Sequence, residues 1–466
     1  MFLGRKEELK RLNEMHESDK FEMAIVYGRR RVGKSELIKK FCEGKRAVYF
    51  TAIESASGYN LSALINSIYA LSGVAAAKTS LPNTFEQVFE LLHSLSKRER
   101  LVFVIDEYPY LAKANKAVSS LLQKYIDDYF KDGQLFIILS GSSMSFMENQ
   151  VLGYKSPLYG RRTAQFKILP FHYDEAALFV PNYSKADRLL TYGIFGGTPY
   201  YLAQIDGNKS LKENVKRLFF STNGLLFEEP KNLIQQELRE PQRYNSIITA
   251  IADGATKISE IANKVNQPAN ACDIYIKNLI SLGLVYKEKP AGDGKSTRSL
   301  YLLSENMFKF WFRYVQKNIS LIEQNVTDAL VEEIFGTINE YMGHIFEDVC
   351  KQYLWNHIET LPITPKEIGR WWGNNPLTKS EEEIDLIVLG RDTAVFCECK
   401  FQNEKTDIRV LESLEKKSEM FHKYTEKLYY YFSKSGFTSA VIERAKGDGS
   451  VKMITIEEII ADRVES

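Results

Sequence analysis

Cysteine is scarce in this 466-residue chain: Cys42, Cys272, Cys350, Cys397 and Cys399 are the only five, and just the last two are close together. No CxxC pair or histidine cluster accompanies them, which excludes a disulfide framework and a structural zinc site and points to a reduced, intracellular protein. Long hydrophobic runs are also missing. Segments such as 101–105 and 135–139 have the length of a buried strand and fall far short of a membrane span, so no membrane partner is expected. The opening residues MFLGRKEELK are charged within five positions, unlike a signal peptide, and the expected compartment is the cytoplasm. Charge of one sign is lacking too: 61 Lys+Arg against 60 Asp+Glu leaves a formal net charge of +1. No global field draws the molecule to nucleic acid or anionic lipid, and any such contact must come from a local patch.

What is present is ordinary globular material, 44% hydrophobic and 26% charged, which excludes disorder, collagen and coiled coil. The length suggests three domains, or four if some are small. Residues 1–170 alternate apolar runs (23–27, 47–51, 101–105, 135–139) with helical patterns (35–42, 60–71, 84–96, 117–130). Continuously apolar strands are the mark of a parallel sheet covered on both faces, so this is an α/β domain. Residues 171–240 read as helical, with a helix break at Gly196-Gly197-Thr198-Pro199. Residues 241–304 read as three helices (244–252, 258–265, 271–282) and a hairpin (284–287, 299–303), the layout of a winged helix. Residues 305–466 open on an aromatic helical stretch, continue with strands near 384–389 and 394–399, and end with charged helices and a strand at 428–432.

The octapeptide Gly28-Arg29-Arg30-Arg31-Val32-Gly33-Lys34-Ser35 fits GxxxxGK[ST] in full, directly after a strand and at the opening of a helix. The glycines let backbone N–H groups wrap phosphate oxygens, and the helix N-terminus adds partial positive charge. Lys34 is expected to reach the β- and γ-phosphates of a bound nucleotide and Ser35 to ligate Mg²⁺, with Glu36 included among the nucleotide contacts. The apolar run 101–105 ends in Asp106-Glu107, which supplies a carboxylate for the metal shell (Asp106) and a general base for the attacking water (Glu107). Run 135–139 ends in Ser140-Gly141-Ser142-Ser143, where Ser140 is the candidate γ-phosphate sensor. Arg161 or Arg162 is a candidate for contacting the γ-phosphate, either in cis or from a neighbouring subunit of a homo-oligomer.

Phe2-Leu3-Gly4-Arg5 with Glu8-Leu9, the Gly28–Ser35 loop, Ser140-Gly141-Ser142, Tyr159-Gly160-Arg161 and Gly196-Gly197-Thr198-Pro199-Tyr200-Tyr201-Leu202 occur in that order. In them residues 1–240 resemble the archaeal-type P-loop ATPase family, which is similar to the AAA+ and STAND groups. The resemblance implies ATP as the nucleotide, an adenine pocket near Phe2–Arg5 and a helical lid carrying Pro199. No guanine-reading NKxD motif opposes it.

In the winged-helix segment, 271–282 takes the place of the recognition helix. Lys287, Lys289, Lys295 and Arg298 concentrate in the hairpin turn, where they suit DNA phosphates, although such modules in ATPases are often only packing or lid elements.

The second informative stretch is Glu383-Ile384-Asp385 with Cys397-Glu398-Cys399-Lys400. Side chains alternate along a strand, so Glu398 and Lys400 share one face and the two cysteines the other. If strand 384–389 lies alongside, Asp385 joins Glu398, and two carboxylates with a lysine suit Mg²⁺ or Mn²⁺ chemistry on a phosphodiester. Glu347, in the helical stretch 341–353, offers a third carboxylate, and the bland alternative is a surface ion pair. The arrangement resembles the PD-(D/E)XK nuclease superfamily, with Asp385 as its metal-binding aspartate, Glu398 and Lys400 as its core pair and Phe346-Glu347 as its helix glutamate. Ile384 stands where many members have proline. Gly369-Arg370-Trp371-Trp372 is similar to a C-terminal domain often fused behind these ATPases. The fold class expected is therefore α/β: a P-loop ATPase sheet with a helical lid, a winged helix and a PD-(D/E)XK-like α/β domain. The expected function is ATP binding and hydrolysis coupled to action on DNA through a metal-dependent C-terminal site. The alternatives are an ATP-switched DNA-binding protein that does not cut, and a chaperone-like or signalling ATPase with no nucleic acid partner.

Overall fold

The computed structural model describes residues 2–72, 82–97, 99–293, 298–376 and 378–461. The chain divides into two compact units, Met1–Pro170 and Phe171–Ser466.

The first unit is built on a five-stranded sheet of β1 (Glu22–Tyr27), β2 (Ala47–Thr51), β3 (Leu101–Asp106), β4 (Leu135–Gly141) and β5 (Ala164–Lys167), in the order β2-β3-β4-β1-β5. Every pairing is parallel. The apolar runs of β1, β3 and β4 are buried throughout. Alternation sends Met23, Ile25, Phe103 and Ile105 into one core and Ala24, Val26, Val102 and Val104 into another, so helices cover both faces. Strand β4 lies between β1 and β3, which puts one strand between the phosphate loop and the Asp106-Glu107 pair. Strand β5 was not expected; its four residues Ala-Gln-Phe-Lys bury only Phe166, as befits a short edge strand.

The second unit begins with helices only, from Tyr173–Ala177 to Glu229–Glu237. Its Gly-Gly-Thr-Pro break is a packing device. A Cβ on Gly197 would lie 1.9 Å from the Phe171 carbonyl oxygen, Thr198 donates a hydrogen bond to the buried Glu305, and Pro199 starts the next helix. Three helices (Pro241–Ala252, Ile258–Lys264, Ala269–Ser281) and an antiparallel hairpin of β6 (Val285–Glu288) and β7 (Leu300–Leu303) follow. The aromatic stretch is core: Phe308, Phe310, Trp311 and Phe312 are fully buried.

A second five-stranded sheet closes the unit: β8 (Glu367–Asn375), β9 (Ser380–Leu389), β10 (Thr393–Lys400), β11 (Glu426–Ser433) and β12 (Val451–Thr455), ordered β12-β11-β10-β9-β8. The β8–β9 and β9–β10 pairings are antiparallel, and β10–β11 and β11–β12 are parallel. The helix Ile338–Asn356 packs on β10. Among the described residues no helix is long and apolar enough to cross a membrane.

Candidate nucleotide and carboxylate sites

The octapeptide Gly28–Ser35 joins the end of β1 to the helix Lys34–Cys42. Its shape depends on glycine at both ends. A Cβ on Gly28 would approach the Ile168 carbonyl oxygen to 2.3 Å, and Gly33 caps the helix at φ 89°. Arg31 also takes a left-handed conformation, at φ 72°. Lys34 is buried and its ammonium donates to the Arg29 carbonyl across the loop (3.0 Å). Arg30 reaches Tyr110, whereas Glu36 faces solvent beside Lys39. Arg5 is buried against the loop, ion-paired with Glu8 and donating to the Val32 and Leu169 carbonyls, so it braces the phosphate loop from the N-terminal segment.

Ser35 and Asp106, 71 positions apart, meet here: the Ser35 hydroxyl donates to Asp106 Oδ2 at 2.7 Å. Tyr49, on neighbouring β2, donates its phenol to the same oxygen at 2.8 Å, and the Glu107 N–H donates to Oδ1 at 3.1 Å. Burial and the adjacent Asp106 push the Tyr49 phenol up, so it stays a donor. Glu107 has φ 54° and accepts from both the N–H (3.2 Å) and the hydroxyl (2.9 Å) of Ser142. Ser140 is fully buried, and its hydroxyl has no hydrogen-bond partner among the described residues. Sequence reasoning missed Tyr49, and it favoured Ser140 over Ser142.

Arg161 is not brought to the phosphate loop of its own chain. Thr163 donates to the Met23 carbonyl near the start of β1, about 16 Å of strand from the loop at its far end. The Arg161 guanidinium pairs with Asp127 at 2.7 Å, while Arg162 lies over the Tyr159 ring.

The hard oxygens of Ser35 and Asp106, beside a glycine-shaped loop, fit Mg²⁺ on a nucleotide phosphate. In the C-terminal sheet, Asp385 and Glu398 lie on adjacent antiparallel strands, one step past the Cys397–Leu386 pair. Asp385 accepts from the Cys399 N–H at 2.8 Å. Its carboxyl is pushed up to about 7, first by burial and then by the charges of Glu398 and Glu347. Lys400 contacts Glu398 at 2.6 Å; burial works against its charge, but the two carboxylates outweigh it and raise its affinity for the proton. Cys397 and Cys399 are buried free thiols.

Glu347 is engaged elsewhere, with His344 (3.0 Å) and the Arg370 guanidinium (3.0 Å). Arg370 also contacts Glu288 at 3.4 Å and Glu383. Burial opposes its charge, but these three carboxylates more than offset it and raise the guanidinium. Among the described residues no three His, Cys, Asp or Glu side chains converge as a cation site. The pair Asp385–Glu398 remains, which suits Mg²⁺, an ion commonly held by one or two carboxylates and otherwise hydrated.

Ala291 and Gly292, described residues of the hairpin turn, are docked on the edge of this sheet. The Ala291 N–H donates to the Arg370 carbonyl at 2.8 Å and the Gly292 N–H to Glu367 at 3.0 Å, and Ala291 is buried in the sheet's core. Of the bases expected in the turn, Lys295 lies outside the described residues, and Arg298 pairs with Asp293. On the helix Ala269–Ser281, Lys277 pairs with Asp273.

A model described as an ATPase domain predominantly from Archaea matches residues 2–205, and one described as archaeal and bacterial proteins of unknown function matches 311–428. An uncharacterized protein of Methanocaldococcus jannaschii, MJECL04, is 35% identical over 412 residues, covering 87% of this chain and 88% of that protein. The uncharacterized ATP-binding protein MJ0423 of the same organism is 54% identical over 46 residues, 10% of this chain and 78% of its own. The Walker-type ATPase PABY2304 of Pyrococcus abyssi shares the fold at a TM-score of 0.51 and 22% identity, over 67% of this chain and 96% of that one.

Proposed function

The chain belongs to the family marked by an ATPase domain found predominantly in Archaea, and from that premise we propose that it binds and hydrolyses Mg²⁺-ATP and uses the nucleotide state to control action on DNA. The Ser35–Asp106 contact at 2.7 Å carries the nucleotide part, because it unites the loop serine with the carboxylate at the end of β3. Ser35, with Asp106 behind it, would hold Mg²⁺, which would supply positive charge to the phosphates. Backbone N–H groups of Gly28–Ser35 orient the phosphates and Lys34 moves from the Arg29 carbonyl to them. Glu107 takes the proton of the attacking water. Arg161 acts on the nucleotide of a neighbouring subunit.

The C-terminal sheet is the effector. Asp385 and Glu398 would hold a divalent cation, which would lower the pKa of a bound water and screen a phosphodiester, and Lys400 would orient the nucleophile. The three-helix segment and its hairpin act as a winged helix that contacts DNA through the exposed side of the helix Ala269–Ser281, since Ala291 and Gly292 of the hairpin turn are engaged on β8. A second reading, an ATP-switched DNA-binding protein that does not cut, is favoured by the engagement of Glu347 with Arg370. Plasmid nicking with Mg²⁺ or Mn²⁺, with and without ATP, separates the two. Nicking by the wild type that is lost in Glu398→Ala supports the cutting reading. ATP hydrolysis with retained DNA binding and no nicking supports the second.

A further inference from the structure

Asp106 Oδ2 accepts two hydroxyl protons, from Ser35 at 2.7 Å and from Tyr49 at 2.8 Å. The second has no part in a phosphate loop. Tyr49 stands on β2, where it pairs with Val104, while the residue of β2 opposite Asp106 is Thr51. Its phenol therefore reaches about two residues along the sheet, roughly 6–7 Å, to meet the carboxylate. A side chain without a distal donor could not do this.

The consequence follows from how a hydroxyl ligates a cation. Ser35 must turn an oxygen lone pair toward the ion, and it can do so only if its proton has a fixed acceptor elsewhere. That acceptor is Asp106 Oδ2. The terminal torsion of an aspartate is broad, and the Glu107 N–H holds only the other oxygen, at the longer distance of 3.1 Å. Tyr49 is what fixes Oδ2. Resting on the ATP reading above, we propose that Tyr49 is a positioning residue for the divalent cation: it holds Asp106, Asp106 holds the Ser35 proton, and Ser35 thereby presents its lone pair. Outer partners of this kind typically set metal affinity by 10- to 100-fold without touching the metal.

The test is Tyr49→Phe, which keeps the ring and removes only the donor. A fluorescent ADP analogue is titrated into the full chain in EDTA and then with increasing Mg²⁺. The affinity in EDTA is expected to match wild type, while the Mg²⁺ concentration for half-maximal response rises about tenfold. The same substitution in an Asp106→Asn background is expected to add nothing, because the acceptor it orients is already altered. A merely structural tyrosine would lower affinity in EDTA and would act equally in both backgrounds. Coincident Mg²⁺ titrations of wild type and Tyr49→Phe overturn the role of Tyr49 alone. Failure of the wild type to bind the nucleotide under either condition overturns the ATP reading with it.

Discussion

The carboxylate of Glu107 is held at one oxygen by both donors of Ser142, the backbone N–H and the hydroxyl. Glu107 sits in a left-handed backbone conformation between the end of β3 and the next helix, and Ser142 follows β4 on the neighbouring strand. The contact leaves Oε1 for water and fixes where that oxygen points. Ser142→Ala keeps the N–H and loses the hydroxyl, a hydrogen bond to a charged group worth roughly 1.5 kcal/mol. The expected outcome is about a tenfold fall in kcat for ATP hydrolysis with nucleotide affinity unchanged. Steady-state hydrolysis and equilibrium nucleotide binding measured together check it.

Arg161 is bound to Asp127 and remote from its own phosphate loop. Arg161→Ala should leave nucleotide affinity unchanged and lower hydrolysis only at protein concentrations where chains self-associate. Specific activity measured against protein concentration checks this. A deficit of equal size at every concentration would point to action within one chain.

Arg370 is the shared cation of Glu288, Glu347 and Glu383, on the hairpin, a helix and a strand. Arg370→Met would strand three carboxylates, two of them buried, and the cost expected is about 3 kcal/mol or more. Thermal unfolding of the full chain should show a large drop for the transition of the second unit, with Mg²⁺-nucleotide affinity of the first unchanged.

Asp385 carries a pKa near 7, against an ordinary value of about 4 in the unfolded chain. The folded protein therefore holds a proton there that the unfolded chain has released between these values. The stabilisation from this proton is complete below about pH 4 and is lost as the pH rises through 7. Asp385→Asn removes the repulsion from Glu398 and Glu347 while keeping an acceptor for the Cys399 N–H. Its unfolding midpoint should exceed that of wild type at pH 8, and the difference should shrink as the pH falls and close only towards pH 4, read by thermal scans across that range.

Legibility in the sequence followed burial. Strands β1, β3 and β4 are sheathed on both faces and show as unbroken apolar runs. Edge strands β5 and β8 carry polar and exposed residues, such as Gln165 and Asn374, and gave no such signal. The phosphate loop could be read because all its parts are contiguous. Tyr49–Asp106 could not, because it depends on β2 lying beside β3. Among the serines ending β4, only three-dimensional placement separates the buried Ser140 from Ser142 at Glu107. Asp385 and Glu398 were readable as chemistry, whereas the capture of Glu347 by Arg370 needed the fold.

Whether Gly28–Ser35 and Asp106-Glu107 act as one Mg²⁺-ATP hydrolysing site is tested most directly by Mg²⁺-dependent phosphate release by wild type, Lys34→Ala and Glu107→Gln, with nucleotide binding followed in parallel. The expected results are hydrolysis by the wild type, loss of both binding and hydrolysis in Lys34→Ala, and retained binding with hydrolysis reduced at least about 100-fold in Glu107→Gln. Hydrolysis in Lys34→Ala at the wild-type rate would rule out a hydrolytic site built on this loop.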